Sequence, residues 1–71
     1  MDRQYMAENL KRLRSGKNAT QKDVAAAIGI SESAYSQYET GEKVPRDDVK
    51  VALSKYFGRS VQYIFFGSST R

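Results

Sequence analysis

The chain has 71 residues, no cysteine, no histidine and a formal net charge of +4. The lack of cysteine and histidine excludes disulfides, thiolate or imidazole metal sites, and catalysis that depends on histidine. Hydrophobic residues make up 39% and charged residues 28% of the sequence, a balance typical of one small globular domain. The positive charge favours an anionic partner.

Neither a membrane segment nor a metal site is expected. No apolar run approaches the roughly 20 residues that a membrane helix needs. The first four residues, Met-Asp-Arg-Gln, lack the apolar core of a signal peptide. The acidic residues form no calcium-loop pattern. We therefore expect a cytoplasmic protein with no membrane partner, no metal and no cofactor.

Apolar residues recur at helical spacing in successive runs, which predicts helices. The first run fades at Ser15-Gly16. Thr20 and Ser31 are good N-caps for a second and a third helix, which Gly29 and Gly41 would end. The residues expected to face the core from the first four helices are Met6, Leu10, Leu13, Val24, Ala25, Ile28, Ala34, Tyr35, Tyr38, Val49, Ala52, Leu53 and Tyr56.

Two more helices follow Pro45. The fourth would close at Gly58, and Ser60 would cap a short fifth helix over residues 61–66, which Gly67 stops. No alternation with a period of two is sustained, so no strand is expected. The sequence predicts an all-α fold of five helices over residues 1–67, followed by a frayed tail at 68–71.

The aromatic residues allow two interpretations. They could form a stacking platform for nucleic acid, but packing in the core is favoured because so small a domain has few other large side chains. Phe65 and Phe66 are the exception, because a terminal helix cannot bury every face. We expect these two residues to be exposed and to form a dimer contact.

The third helix has two different sides. Only Gly29 and Ile30 separate it from the second helix, which predicts the steep crossing of a helix-turn-helix. At about 100° per residue, its apolar side chains point one way and its short polar ones point the other. Such polar groups suit the base edges in a DNA major groove. The face pattern alone fits ordinary solvated helix residues equally well.

The sequence resembles the Cro and phage-repressor type of helix-turn-helix domain over nearly its whole length. The matching stretches are LKRLR (10–14), TQKDVAAAIGIS (20–31), YSQYETGEKVP (35–45) and FGRSVQYIFFG (57–67). The residues at that family's spacing are Thr20, Gln21, Ala25, Gly29, Glu39, Gly41 and Pro45. The resemblance implies a five-helix domain over residues 1–67 that binds double-stranded operator DNA as a homodimer and regulates transcription.

The resemblance also implies roles for individual residues. The residues implied to read bases are Glu32, Ser33 and Gln37, with Ser36 on the same outward face. Gln21 would contact a phosphate and brace the start of the third helix. The other candidates for phosphate contacts are Lys17, Lys22, Thr40, Lys43 and Arg46. Arg14 and Glu39 would form a structural ion pair that ties the first helix to the third.

Some residues depart from the family's pattern. Glu32 is acidic where the family often has a neutral or basic reader, and Glu42 stands where a basic residue is common. Asp47 and Lys50 replace residues that are often apolar, so we expect the fourth helix to start with different packing.

These departures leave two functions open. The favoured one is a sequence-specific DNA-binding regulator, Cro-like or a stand-alone repressor. The alternative is a protein-interaction module of the same fold, such as an antitoxin-like protein or a modulator of another repressor protein. An enzyme is not expected, because the adjacent acids Asp47 and Asp48 would point about 100° apart on a helix.

Overall fold

The structure is a computed structural model that describes residues 2–67. It contains five helices in chain order: α1 (Arg3–Gly16), α2 (Gln21–Ile28), α3 (Glu32–Thr40), α4 (Asp47–Phe57) and α5 (Gln62–Phe66). The last of these is wound as a π-helix. No strand occurs within this part of the chain, so the predicted all-α fold of five helices is confirmed. The tail predicted at 68–71 lies outside the described residues.

Local hydrogen bonds set the ends of the central helices. The Thr20 hydroxyl accepts from the backbone N–H of Asp23 at 3.0 Å, and the Asp23 carboxylate accepts from the N–H of Thr20 at 2.9 Å. The Ser31 hydroxyl accepts from the N–H of Ala34 at 3.0 Å. Gly29 and Gly41 end α2 and α3 with φ of 78° and 81°, a region that side chains disfavour. The predicted caps are therefore confirmed.

All five helices contribute to one hydrophobic core. A buried leucine, valine or aromatic side chain stabilises the fold by about 1.5–3 kcal/mol relative to its exposed state. The buried members of the core are Met6, Leu10, Val24, Ala25, Tyr35, Val49, Leu53, Ile64 and Phe65. The sequence pattern assigned seven of these to the core, and they are confirmed: Met6, Leu10, Val24, Ala25, Tyr35, Val49 and Leu53. Leu13, Ile28, Tyr38 and Tyr56 pack around it and are partly buried.

The prediction that Phe65 is exposed is wrong. Its side chain is 0% exposed and belongs to the core, whereas Phe66 is 52% exposed. Consecutive residues on a helix point in different directions, so a short helix that packs on the domain must bury one of two neighbours. Phe65 therefore cannot contact a second copy of the chain, and Phe66 is the only one of the pair that can.

Side chains of α1 hold α5 in place. The Tyr5 hydroxyl donates to the carbonyl of Tyr63 at 2.7 Å. The buried Asn9 amide donates to the carbonyls of Tyr63 and Ile64 at 3.3 and 3.2 Å. These bonds give the carbonyls of Tyr63 and Ile64 hydrogen-bond partners from α1. α3 packs on α1 and α2 at another part of the domain, and α2 also contacts α4.

The described residues contain neither a membrane-spanning helix nor a metal-binding cluster. Between residues 2 and 67, no helix combines the length and the apolar character that crossing a membrane requires. The same residues contain no group of three or more carboxylate, histidine or cysteine side chains that could hold a metal ion.

Candidate nucleic-acid interface

Three residues, Gly29, Ile30 and the N-cap Ser31, connect α2 to α3. The N–H groups of Gly29 and Ile30 both donate to the carbonyl of Ala25, so the turn closes the end of α2. The Ile30 side chain packs against the core. Ser31 then caps α3, which begins at once in a new direction and packs against α2. This is the helix-turn-helix that the spacing of Gly29 and Ser31 predicts.

The inward side of α3 fixes how the helix is rotated. Tyr35 and Glu39, one turn apart, are both buried. The Tyr35 ring meets the ring of Tyr38 edge to face, with 6.3 Å between the ring centroids. Because these three side chains pack inward, the opposite side of α3 must face solvent.

The outward side of α3 carries the predicted base-reading residues. Glu32 and Ser33 are exposed, and Ser36 and Gln37 are half-buried. They are spaced i, i+1, i+4 and i+5, so helical geometry brings them onto one face. Across residues 2–67, none of these four side chains makes a hydrogen bond; the Thr40 hydroxyl bonds Gln37 only at its backbone carbonyl. Their donors and acceptors are thus available to a ligand. We call this row, Glu32, Ser33, Ser36 and Gln37, the outward row.

An ion pair supports α3 from behind. The Arg14 Nε lies 2.7 Å from Glu39 Oε2, and Arg14 Nη2 lies 3.0 Å from Glu39 Oε1. Arg14 Nη1 also donates to the carbonyl of Ala19 at 3.1 Å. The guanidinium therefore ties α1, α3 and the segment before α2 together. The predicted pairing of Arg14 with Glu39 is confirmed.

The pair shifts the pKa values of both members. The hydrogen bond to Glu39 raises the pKa of Arg14 above its ordinary value. Burial on its own would raise the pKa of Glu39, but the hydrogen bonds from Arg14 and Gln21 outweigh it, and the pKa is lowered. Glu39 is therefore charged at neutral pH although it is only 3% exposed.

Gln21 takes a different position from the one predicted. Its amide Nε2 donates to Glu39 Oε1 at 3.0 Å, so the side chain braces the last turn of α3. The prediction that it braces the start of α3 is wrong, because the charged Glu39 carboxylate is the stronger acceptor. The second amide hydrogen remains for another acceptor, and a phosphate contact by Gln21 stays a prediction.

The lysine and arginine candidates lie in α2 and in the connections on either side of α2 and α3. Lys22 and Lys43 are exposed, and the backbone N–H of Lys43 donates to the carbonyl of Gln37, which places Lys43 beside the end of α3. Arg46 pairs with Asp48 at 3.4 Å on an exposed surface. Lys17 instead lies against α4, with its amine 4.9 Å from the centroid of the Tyr56 ring. The backbone of Lys43 is thus hydrogen-bonded directly to Gln37, a member of the outward row.

Glu42 constrains the hydroxyl of Thr40. That hydroxyl lies 3.1 Å from the carbonyl of Gln37 and 3.0 Å from the Glu42 carboxylate. A phosphate at Thr40 would meet this carboxylate, so Glu42 would have to move away first. The side chain of Arg3, which sequence reasoning missed, donates to the carbonyl of Glu42 at 3.3 Å. Only the fold reveals this basic group, because 39 residues separate it from Glu42.

A family model described as helix-turn-helix matches residues 10–64. The chain belongs to the helix-turn-helix family. The match contains the turn, α2, α3 and α4, and it confirms the resemblance to that type of domain.

Three relatives of this helix-turn-helix chain carry regulator names. It is 35% identical over 63 residues to the uncharacterized HTH-type transcriptional regulator YqaE of Bacillus subtilis (strain 168), covering 89% of this chain and 54% of that protein. It is 33% identical over 60 residues to the HTH-type transcriptional activator BcrR of Enterococcus faecalis, covering 84% and 29%. The uncharacterized HTH-type transcriptional regulator YobD of B. subtilis (strain 168) is 37% identical over 57 residues, covering 80% and 51%.

The helix-turn-helix chain spans about half the length of YqaE and YobD, and less of BcrR. No solved structure matches it. The likeness to the relatives thus concerns the helix-turn-helix domain itself.

The geometry of this helix-turn-helix domain suits groove binding. A DNA major groove is about 12 Å wide and admits one α-helix. α3 presents four side chains without partners in the described chain, and its other side is fixed by Tyr35 and by the ion pair of Glu39. A helix held in this way keeps its outward row in one orientation while it makes contacts.

Proposed function

We propose that this chain is a sequence-specific DNA-binding transcriptional regulator that recognises operator DNA with α3. The observation that carries the proposal is the outward row, which offers uncommitted polar groups on a helix fixed from behind. A glutamine can bond an adenine through two hydrogen bonds, and serine can bond several bases. Gln37 and the two serines of the row supply this chemistry. The family and the names of the relatives support the same function.

Contacts to phosphates would hold the domain on the duplex. Such contacts supply most of the affinity that does not depend on sequence. We assign them to Lys22, Lys43 and Arg46, which are exposed, and to the free amide hydrogen of Gln21. Thr40 would join them once Glu42 has moved. Lys17, which packs on Tyr56, would contribute from the edge of the site.

A homodimer would let two copies of α3 read a palindromic operator. Phe66 supports this part of the proposal, because it is 52% exposed on the last helix. The Lys50 ammonium lies 5.1 Å from the centroid of the Phe66 ring and leaves the rest of that ring open to solvent.

A regulator of this kind acts where the DNA is, so we place it in the cytoplasm of a bacterium or of an infected cell. We assign it no catalytic role.

The acidic residues beside α3 favour a second function. Glu32 lies at the start of the outward row. The Glu42 carboxylate accepts a hydrogen bond from the hydroxyl of Thr40. Both carboxylates would repel phosphates, but they would attract a basic protein. In this second candidate function, the same face binds a partner protein, such as another repressor, and DNA binding is weak.

Selection of bound duplexes from a random pool tests the proposal. The wild-type chain should enrich a sequence and bind it with an affinity that falls steeply as salt rises. Gln37→Ala should bind the enriched sequence more weakly. Its matched control is Gln4→Ala, because Gln4 is an exposed glutamine on α1 that contacts Glu8. Failure to enrich any sequence, with negligible binding at low salt, would overturn the regulator and leave the partner-binding module.

A further inference from the structure

Two arginines meet at the side chain of Tyr63. Arg12 Nη2 donates to the Tyr63 hydroxyl at 2.9 Å, and Arg12 Nη1 donates to the Asn9 side-chain oxygen at 2.8 Å. The Arg59 guanidinium lies over the ring of Tyr63, 5.1 Å from its centroid. We call these three residues, Arg12, Arg59 and Tyr63, the arginine patch. It joins Arg12 of α1 to Tyr63 of α5 and to Arg59 in the segment before α5.

The charge of the arginine patch is not neutralised by the domain. Over residues 2–67, no carboxylate lies within ion-pair distance of Arg12 or Arg59. The sequence has no acidic residue at positions 9–22 or 49–71, the two stretches that contain the patch. Glu8, one turn before Arg12, instead accepts a hydrogen bond from Gln4 at 3.1 Å.

The arginine patch lies on the side of α1 that faces away from α3. Arg12 precedes Arg14 by two residues, so their side chains leave the helix about 200° apart, which is nearly opposite. Arg14 points to Glu39 of α3, and Arg12 points to Tyr63. A duplex held by the outward row of α3 would therefore be on the other side of α1.

Neutral acceptors fix Arg12 without cancelling its charge. The Asn9 oxygen and the Tyr63 hydroxyl hold the guanidinium, so a negatively charged ligand would meet an already ordered group and lose less entropy on binding. Arginine binds carboxylates through paired, charge-assisted hydrogen bonds. Arginine and tyrosine are also enriched where proteins meet other proteins.

We propose that the arginine patch docks an acidic segment of a partner protein through its carboxylates. Two arginines and one tyrosine are enough for one or two carboxylates. A nucleic acid held by its phosphates would need a longer row of cations. The proposal does not depend on DNA reading by α3, because the two surfaces lie on different sides of α1.

A titration with a deca-glutamate peptide at low ionic strength tests the proposal. Chemical shifts of the backbone amides of the ¹⁵N-labelled chain report where the peptide binds and how tightly. The double variant Arg12→Ala with Arg59→Ala should bind about five- to tenfold more weakly, since exposed ion pairs are individually modest. The matched control, Lys22→Ala with Lys43→Ala, removes the same charge near α3 and should change peptide affinity by less than about twofold.

Tyr63→Phe separates local geometry from net charge. It removes only the hydroxyl that holds Arg12 and should weaken the peptide by about twofold with no change in charge. If circular dichroism shows that the arginine double variant is unfolded, Tyr63→Phe decides the question. Unchanged affinity in Tyr63→Phe would then overturn the proposal.

Three other results would also overturn it. The first is a titration in which the amides near Arg12, Arg59 and Tyr63 do not shift. The second is an equal loss of peptide affinity in the two double variants, which would mean that net charge alone attracts the peptide. The third is a loss of affinity for random DNA duplex that is larger in the arginine double variant than in the lysine double variant. The arginine double variant should bind the selected operator DNA as tightly as wild type does. This control separates the peptide test from DNA reading by α3.

Discussion

Arg14 of α1 and Glu39 of α3 share two parallel hydrogen bonds, of 2.7 and 3.0 Å. The members of the pair differ in exposure, because the Arg14 side chain is 22% exposed and the Glu39 side chain 2%. Gln21 adds a third donor to the same carboxylate. The helix that carries the outward row is thus positioned by a charged group that water hardly reaches.

Removing one member of this pair should cost unequal amounts of stability. Arg14→Ala leaves a buried carboxylate without its cation, so we expect the free energy of unfolding to fall by about 3–5 kcal/mol. Glu39→Ala leaves a guanidinium that can reach water, so its cost should be smaller. Urea denaturation of both variants and of the double variant measures the coupling. Arg46→Ala is the control, because the Arg46–Asp48 pair is 82% and 72% exposed and should contribute about 0–1 kcal/mol. Zero coupling between Arg14 and Glu39 would contradict the prediction.

The lowered pKa of Glu39 predicts that the folded state loses stability at acidic pH. A carboxyl group whose pKa is lower in the folded state stabilises that state above its unfolded pKa, near 4.5 here. This contribution should disappear as the pH falls below 4.5 and through the folded pKa. The loss of stability can be measured as a fall in the urea denaturation midpoint between neutral pH and pH 3. Glu39→Gln should flatten that part of the curve, and the part due to Asp23, whose pKa is also lowered, should remain. Identical pH profiles of variant and wild type would refute the assignment to Glu39.

The sequence predicted best what short-range geometry decides. The ends of α2 and α3 depend on one capping hydroxyl and one glycine each, and Thr20, Ser31, Gly29 and Gly41 signal these directly. The outward row follows from helical periodicity alone. Glu39 is charged, and only the resemblance to a family indicated that it is buried and paired.

Other features depend on contacts between distant parts of the chain. Phe65 and Phe66 are adjacent aromatic residues, and the choice of which one enters the core depends on how α5 packs on α1. The contact of Gln21 with Glu39 crosses 18 positions. The contact of Arg12 with Tyr63 crosses 51. No spacing rule in the sequence predicts such pairs.

Gln37→Ala should reduce specificity more than general affinity. Gln37 has no side-chain hydrogen bond in the described part of the chain, so its amide is free for a base. Its loss should cost roughly 1–3 kcal/mol on the selected duplex and relax the preference at one base pair. Binding to random duplex should hardly change. Fluorescence anisotropy on both duplexes measures the difference, and Gln4→Ala should match wild type on both. Equal losses on selected and random DNA would argue against base reading by Gln37.

Phe66→Glu should convert a dimer to a monomer. The substitution puts a charge into an apolar contact between copies, while circular dichroism should show unchanged helix content because Phe66 is half exposed. Sedimentation of wild type and variant, with and without selected DNA, measures the change. Val51→Glu is the control, since Val51 is an exposed apolar residue on another helix, at 45%. A wild-type chain that stays monomeric at high concentration and on DNA would contradict the dimer.

Glu32→Gln separates the two candidate functions. Glu32 is exposed in the first turn of α3, and Ser31 already caps that helix, so the substitution should alter stability by no more than about 1 kcal/mol through the helix dipole. If Glu32 accepts a hydrogen bond from a cytosine, Glu32→Gln should change the preferred base at one position and leave random-duplex affinity nearly unchanged.

If the Glu32 carboxylate only faces the phosphates, its removal should tighten binding to every duplex, and added salt should reduce that gain. If α3 binds a basic protein, the variant should bind that partner more weakly, while DNA binding stays negligible in both chains. The measurement is anisotropy of wild type and variant on the selected and the random duplex, at two salt concentrations. Glu8→Gln, a neutralised carboxylate on α1, is the matched control and should leave all four affinities near wild type. Detectable, salt-sensitive binding of the selected duplex by both chains would exclude the partner-binding module as the main role of α3. Negligible binding by both would refute the regulator.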